Sequence, residues 1–247
     1  MASPATPFES EREIPIVLTA TVVPNGVVAA SMAPQVRLAE YAQAVKFYVN
    51  HAPVIFLENS PYPLEQHAEF NATPRLQVRR FAPSAKPERG KGYQEFEMID
   101  AWLAAESHPP ERWVKITGRY QIRNIAVVLR ECRADGRSGL IIDQVPRKGL
   151  ARTYLFCAST AFYQEHLAGR YEECDDRQGE WIEHILFRKL KDLPAEEVHA
   201  FRTQPLLIAT AGTAGLPFPS GQGQWRIKQS LRRINRLFDR KYLWYSR

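Results

Sequence analysis

The chain has 247 residues, of which 45% are hydrophobic and 24% charged, which is typical of a globular protein and excludes a disordered chain. No apolar stretch approaches the roughly 18 residues that predict a membrane-spanning helix. The sequence has three widely spaced cysteines, Cys132, Cys157 and Cys174. They form no CxxC pair and have no histidine at ligand spacing, which argues against a zinc site and against a disulfide framework. This cysteine usage favours a reducing, cytoplasmic compartment.

Strand-like and helix-like patterns alternate along the chain. Runs rich in β-branched and apolar residues predict strands at 13–23, 52–60, 76–81, 112–118, 139–145 and 153–160. Helical spacing predicts helices at 34–51, 93–107, 124–132, 161–169 and 179–193. This alternation predicts an α/β fold with a Rossmann-type, mostly parallel central sheet and helices on both faces. We expect residues 1–12 to form a flexible leader, 13–224 the folded domain and 225–247 a basic amphipathic tail.

Polar residues follow several of the predicted strands. Glu58, Asn59 and Ser60 follow the second, Lys91 and Gly92 follow the third, and Gly118, Arg119 and Tyr120 follow the fourth. In open parallel sheets, ligands bind beyond the carboxyl ends of the strands, so these segments predict one shared crevice. The alternative is that they are the ordinary polar strand ends of an α/β protein.

The sharpest local pattern is WVKITGRYQIRN, residues 113–124. Alternation places Val114 and Ile116 on one face of the strand and Lys115 and Thr117 on the other. Gly118 permits a bend, after which the planar guanidinium of Arg119 suits paired phosphate oxygens. We therefore expect this stretch to bring Lys115, Arg119 and Arg123 together at a phosphate-bearing ligand. The alternative is that Arg119 pairs with a structural carboxylate.

A second cation, Lys91, stands between Gly90 and Gly92 just before a predicted helix. Glycines allow the backbone to approach a ligand, and free N–H groups at a helix start attract anions. The spacing is not that of a Walker motif. The segment thus predicts either a phosphate contact or a solvated loop.

Several segments together resemble bacterial glycosyltransferases that assemble capsule and lipopolysaccharide O-antigen. They are IVLTATVVPN, the helix carrying Arg37 and Tyr41, IFLENS, KGYQEFEMI, VKITGRYQIRN, TYLFCASTAFYQEHL and WIEH, in that order over about residues 14–215. The resemblance implies a GT-A-like fold and transfer of a sugar from a nucleotide-sugar donor to a hydroxyl of a growing glycan or lipid-linked glycan. It implies a nucleotide pocket lined by Thr19 and Thr21. Base or ribose would contact Arg37, Glu58 and Asn59, and ribose or phosphate would contact Lys91.

Many GT-A enzymes bind a divalent metal through an Asp-x-Asp motif, which this chain lacks. In its place stand Lys115, Thr117, Gly118 and Arg119, and the positive charge of Lys115 or Arg119 could neutralise the leaving diphosphate. The expectation is therefore transfer without a metal or other cofactor. The adjacent pair Asp175 and Asp176 keeps a metal-dependent version open.

A base must take the proton of the acceptor hydroxyl if the transfer inverts configuration. The candidate is Glu183 near the start of a helix, and Asp143 is its rival. The alternative is that Glu183 pairs with Arg188 or Lys189 on the helix surface. A second set, Thr160, Phe162 and Tyr163, is expected either to form an acceptor shelf or to belong to the core.

Residues 225–247 carry eight Arg or Lys residues and one Asp, so the charge of this segment is +7 and the rest of the chain is nearly neutral. Ile227, Leu231, Ile234 and Phe238 repeat at helical spacing among these cations. The pattern predicts a helix on an anionic membrane surface, which would make the protein peripheral to the inner face of the cytoplasmic membrane. The alternative packs the apolar stripe onto the domain or a second subunit.

Two other classes of function remain open at this stage. One is a noncatalytic scaffold or binding protein of a polysaccharide assembly complex. The other is nucleic-acid binding by the basic tail, which is not expected because the charge of the rest of the chain is near zero.

Overall fold

The computed structural model describes residues 13–25, 33–71, 73–208 and 222–246. The leader expected at 1–12 lies outside them. The strands are β1 (Ile16–Ala20), β2 (Val54–Glu58), β3 (Leu76–Arg80), β4 (Arg112–Thr117), β5 (Gln121–Ile122), β6 (Leu140–Val145), β7 (Leu150–Ser159), β8 (Val198–His199) and β9 (Leu207–Ile208). The helices are α1 (Pro34–Tyr48), α2 (Lys91–Ala105), α3 (Ile125–Ala134), α4 (Thr160–Phe162, continued by a π-helical turn to Leu167), α5 (Ile182–Leu190) and α6 (Gln222–Phe238).

Seven of these strands form one central sheet in the order β3-β2-β1-β4-β7-β6-β8. The pairs β1–β2, β2–β3, β1–β4 and β6–β8 are parallel, whereas β7 runs antiparallel to β4 and β6. The first residues of β7 therefore lie beside the carboxyl end of β4, which in turn neighbours that of β1. The predicted α/β fold with a mostly parallel sheet is confirmed.

Alternate residues of the strands enter two separate hydrophobic cores. Val114 and Ile116 of β4 pack in the core that α1 and α3 cover. Val17 of β1 and Phe156 of β7, the register partners of Lys115, pack in the core that α2, α4 and α5 cover. Helices therefore cover both faces of the sheet, and the predicted alternation along β4 is confirmed.

The residue that precedes helix α2 is at a position that requires glycine. Gly90 has a φ of 109°, which favours glycine, and a Cβ at this residue would overlap the carboxylate of Asp176. That carboxylate accepts a hydrogen bond from the backbone N–H of Lys91, at 3.2 Å. The loop bearing Asp176 is thereby fixed against the first turn of α2.

Helix α6 packs on the domain rather than standing apart from it. Arg232 of α6 is fully buried and forms a bidentate ion pair with Asp143 of β6, with both N–O distances 2.7 Å. Beyond the helix, Leu243 donates its backbone N–H to the carbonyl of Gln144, and the ammonium of Lys241 donates to the carbonyl of Lys191 at 2.6 Å. The described part of the tail is thus tied to β6 and to the end of α5.

Candidate functional site

A cleft of about 960 Å³ opens where the carboxyl ends of β1 and β4 meet the first residues of β7. Its walls come from the first turns of α1, α2 and α5, and one wall comes from α6. The charged residues that line it are Arg37, Glu88, Lys91, Glu95, Arg119, Arg152, Asp176, Arg177, Glu183 and Lys228. Cations outnumber carboxylates in this set, so the cleft suits an anionic ligand.

Three of the cations that the sequence predicted, Arg37, Lys91 and Arg119, lie in this lining. Partial loss of water around the Lys91 ammonium, followed by the charges of Arg37 and Arg119, lowers its pKa below the usual lysine value, and Asp176 opposes the shift. Such mutual repulsion means that positive charge is concentrated on one side of the cleft.

The two arginines of this group are held in place by oxygen atoms of the protein. Arg37 donates to the backbone carbonyl of Thr21 through Nε at 3.0 Å and Nη2 at 2.6 Å. Arg119 forms an ion pair with Glu40 at 2.8 Å, so the alternative of a carboxylate partner is confirmed for this residue. Because both residues also line the cleft, these contacts fix the guanidinium groups at its edge.

The floor of the cleft contains a carboxylate that the sequence analysis did not identify. Glu95 of α2 accepts hydrogen bonds from the hydroxyls of Thr19 and Thr117, the latter at 3.4 Å. Its carboxylate lies 2.7 Å from the ammonium of Lys115, which also donates to the carbonyl of Thr153 at 2.8 Å. Burial lowers the pKa of Lys115, and the charge of Glu95 opposes that shift. The charge of Lys115 is therefore balanced by Glu95 beneath the floor of the cleft. Lys115 is not positioned to contact a diphosphate.

The predicted base, Glu183, lies in the first turn of α5 and lines the cleft. Its Oε1 accepts a hydrogen bond of 2.9 Å from the hydroxyl of Thr153. The helix-surface alternative is wrong, because Arg188 pairs with Glu180 at 2.7 Å and Lys189 lies 3.7 Å from Glu173. Glu183 thus presents a carboxylate in the same cleft as Lys91 and Arg119.

Helix α6 forms a further wall of the cleft. Trp225 and Lys228 line it, and the indole N–H of Trp225 donates to the backbone carbonyl of Gln204 at 2.8 Å. A residue assigned to a separate tail therefore belongs to the site, because α6 begins before the predicted boundary at 225 and packs against the segment around Gln204.

Three residues that were expected to contact the donor lie behind the lining of the cleft and contact the chain that forms it. Asn59 accepts a 2.6 Å hydrogen bond from the Thr21 hydroxyl, and Glu58 accepts one of 3.3 Å from the backbone N–H of Val22. Both are buried, and burial raises the pKa of Glu58. Gly118 packs against β1, where a Cβ would lie 2.5 Å from the backbone oxygen of Thr19. Glu58, Asn59 and Gly118 shape the chain after β1, and the expectation of direct contact is corrected.

The remaining predictions concern residues that do not line the cleft. Asp143 is held by Arg232 and is 2% exposed, which removes it as a rival base. Thr160 donates to the carbonyl of Pro110 at 2.5 Å. The hydroxyl of Tyr163 donates to Asp100 at 2.7 Å, and its fully buried ring lies in the core. Thr160 and Tyr163 therefore do not form an acceptor shelf. Arg123 is exposed outside the cleft, so the expected convergence with Lys115 and Arg119 is wrong.

The carboxylates of the two adjacent aspartates bind groups of the protein itself in the described structure. Asp175 binds the guanidinium of Arg177 through both carboxylate oxygens, at 3.0 and 2.9 Å. Asp176 instead accepts from the N–H of Lys91. Within residues 13–25, 33–71, 73–208 and 222–246, no three His, Cys, Asp or Glu side chains are grouped to hold a metal ion.

The sequence contained a signal for some of the lining residues that were missed. Glu95 lies one turn after the Gly90–Gly92 segment, on the helix whose start was already suspected of contacting an anion. For Arg152 and Lys228 no such signal exists, because their place depends on the direction of β7 and on the packing of α6.

No protein-family model and no curated protein sequence matches the chain. Among solved structures it is similar to mouse xyloside xylosyltransferase 1, with a TM-score of 0.45, 10% identity, and coverage of 76% of this chain and 84% of that chain. It is also similar to 4-diphosphocytidyl-2C-methyl-D-erythritol synthase from Anaerococcus prevotii, with a TM-score of 0.43, 9% identity, and coverage of 89% and 96%. A third is a protein described as a glucose-1-phosphate thymidylyltransferase from Bacillus anthracis, with a TM-score of 0.46, 11% identity, and coverage of 89% and 95%. Likeness at this level does not establish a shared function.

Proposed function

We propose that this chain is a GT-A-like glycosyltransferase. It moves a sugar from a nucleoside diphosphate sugar to a hydroxyl group of a growing bacterial surface glycan, such as capsule or O-antigen. The observation that carries the proposal is the presence, in one cleft beyond the carboxyl ends of β1 and β4, of a cationic group and a separate carboxylate. The cations are Arg37, Lys91 and Arg119, and the carboxylate is Glu183.

The cationic side of the cleft suits the diphosphate of a donor. Guanidinium groups bind paired phosphate oxygens, and an ammonium acts as a compact point charge. Each charged hydrogen bond contributes about 1.5–3 kcal/mol. The start of α2 adds a helix dipole whose positive end already accommodates the Asp176 carboxylate.

The reaction needs one proton acceptor and one stabilised leaving group. The acceptor hydroxyl oxygen forms a bond to C1 of the donor sugar while the bond from C1 to the diphosphate oxygen breaks. Glu183 takes the hydroxyl proton, and the nucleoside diphosphate leaves with the bonding electrons. Lys91 and Arg119 stabilise the charge that develops on that leaving group, which is the role of preorganised cations in group transfer.

The proposed transfer does not use a divalent metal. Positive charge near the leaving diphosphate is supplied by Lys91 and Arg119, whereas Asp175 pairs with Arg177 and Asp176 accepts a hydrogen bond from the backbone N–H of Lys91. We expect turnover to be unchanged by EDTA, and a strict requirement for manganese would contradict this part of the proposal.

The first test is titration calorimetry with UDP, GDP, CDP and dTDP. Arg119→Ala should weaken binding of the preferred nucleotide by about 10- to 150-fold, which corresponds to one lost charged hydrogen bond. Arg123→Ala is the matched control, because this arginine is exposed on the same segment but lies outside the cleft. Equal losses in the two variants would refute the site.

The second test measures turnover of the matching nucleotide sugar. Glu183→Gln should lower the rate by about 10²- to 10⁴-fold while leaving nucleotide binding intact. Glu180→Gln is the control, since this carboxylate is 46% exposed and pairs with Arg188 outside the cleft. Release of a nucleoside diphosphate supports sugar transfer, release of pyrophosphate from a nucleoside triphosphate indicates nucleotidyl transfer instead, and binding without any turnover supports the scaffold.

A further inference from the structure

Helix α6 presents an apolar stripe to solvent. The stripe consists of Ile227, Leu231, Ile234, Leu237 and Phe238, and the last two are 80% and 86% exposed. These residues account for half of the exposed large hydrophobic residues in the described part of the chain, although α6 covers a small share of it. A contiguous exposed apolar patch of this kind marks an interaction surface.

The orientation of the helix is fixed from the opposite side. At about 100° per residue, Gln229, Arg232 and Arg236 lie on the face away from the stripe. Arg232 binds Asp143, and Arg236 donates to the backbone carbonyl of Ala200 at 3.1 Å. A polar face therefore attaches the helix to the domain, and the alternative in which the apolar stripe packs onto the domain is wrong.

Cations border the stripe on both sides. Arg226 and Arg233 lie on one border and Lys228 on the other, and all three are exposed. The helix contains no acidic residue, and the exposed Trp244 follows it. An apolar centre, basic borders and a nearby aromatic residue form the arrangement of a helix that lies in the plane of a membrane interface.

We propose that α6 docks the protein on an anionic lipid bilayer, with the stripe among the acyl chains and the bordering cations at the headgroups. Charge complementarity selects this occupant. A second copy packed stripe to stripe would bring like charges together along both borders, and a nucleic acid would leave the apolar centre without a partner. None of the described helices combines the length and apolar character needed to cross a membrane. Docking does not depend on the reaction in the cleft.

Deleting the tail would not test this proposal, because it would also remove Arg232 from Asp143 and Trp225 from the cleft wall. Point substitutions on the outward face avoid that problem. The experiment is co-sedimentation of the full chain with phosphatidylcholine vesicles, with and without roughly one third phosphatidylglycerol. Thermal unfolding of each variant verifies that the exposed substitutions leave the fold intact.

The double variant Leu237→Ser/Phe238→Ser should lower binding to anionic vesicles at least about tenfold, because it removes much of the exposed apolar area. Val36→Ser is its control, since Val36 is an exposed apolar residue of α1. Arg226→Gln/Arg233→Gln should lower binding by about 25-fold, at about fivefold for each cation. Lys46→Gln/Lys86→Gln removes the same charge from exposed positions outside α6 and should have little effect.

Equal binding to neutral and anionic vesicles would overturn the proposal. So would stripe variants that bind as well as the parent chain. A dimer in sedimentation equilibrium that the Leu237→Ser/Phe238→Ser variant dissociates would show that a second copy covers the stripe instead. Nucleotide binding in the cleft is measured in parallel, so that failure of docking and failure of the proposed transferase activity are read separately.

Discussion

Replacing Asp143 by alanine should destabilise the fold and leave the chemistry of the cleft unchanged. Asp143 accepts two hydrogen bonds of 2.7 Å from Arg232, and the two side chains are 3% and 0% exposed. The variant leaves the guanidinium buried with two remaining acceptors, the carbonyl of Phe201 and the side chain of Gln204. A charge left without its counterion in the interior is costly.

The expected decrease in the free energy of unfolding follows from the burial of this ion pair. Removing one partner of a buried ion pair costs about 3–5 kcal/mol, against a total stability of about 5–15 kcal/mol for a native protein. For a chain of this size the loss lowers the unfolding midpoint by about 6–20 °C. Because a buried pair can be replaced by apolar groups at little cost, Asp143→Leu/Arg232→Met should lose less stability than Asp143→Ala alone.

The assay is urea unfolding followed by circular dichroism, together with turnover measured well below each midpoint. Asp192→Ala is the control, since this carboxylate is exposed and should change stability by less than about 0.5 kcal/mol. If Asp143→Ala loses under about 1 kcal/mol while turnover falls by about 100-fold or more, Asp143 is the base and the structural interpretation is refuted.

Three other predictions follow from single positions. The lowered pKa of Lys91 means that nucleoside diphosphate binding should weaken as the pH rises through that value, and Lys91→Arg should move the loss to higher pH in titration calorimetry. Gly90→Ala should cost about 1–3 kcal/mol in urea unfolding, because the residue has a φ of 109° and its new Cβ would overlap Asp176; a neutral effect would contradict the assigned backbone. Hydrogen bonds from Arg177 lower the pKa of Asp175 to about 2, so the stability that this pair contributes is present at neutral pH and is lost as the pH falls through that value. Arg177→Ala should raise the carboxyl pKa towards about 4 in an NMR titration.

The order and type of the main elements could be predicted because their apolar periodicity is local. The two-residue strands β5, β8 and β9 could not, since a period of two needs several residues to show. The antiparallel direction of β7 could not be predicted either, because the apolar pattern of a buried strand is the same for both directions in the sheet. That direction brings Arg152 and Thr153 into the cleft.

The sequence identified residues that line the cleft where the signal was a strand end or a helix start, as for Thr19, Lys91 and Arg119. The sequence analysis failed where the position of a side chain depends on a contact with a residue from another part of the chain. Lys115 of β4 was expected at the donor, but it pairs instead with Glu95 of helix α2. The sequence did not distinguish Arg232 from the other cations of the tail. In the structure it is buried and pairs with Asp143 of β6.

One helix contributes to two surfaces of this molecule, since Trp225 and Lys228 line the cleft and their neighbours form the outward stripe. If the proposed adsorption on a membrane shifts α6, the affinity of the cleft for a nucleotide changes as well. The size of that change is a coupling free energy between the two surfaces. Reciprocity then requires a bound nucleotide to change the adsorption constant by the same factor. Under the two proposals, membrane docking and nucleotide binding are therefore linked through the position of α6.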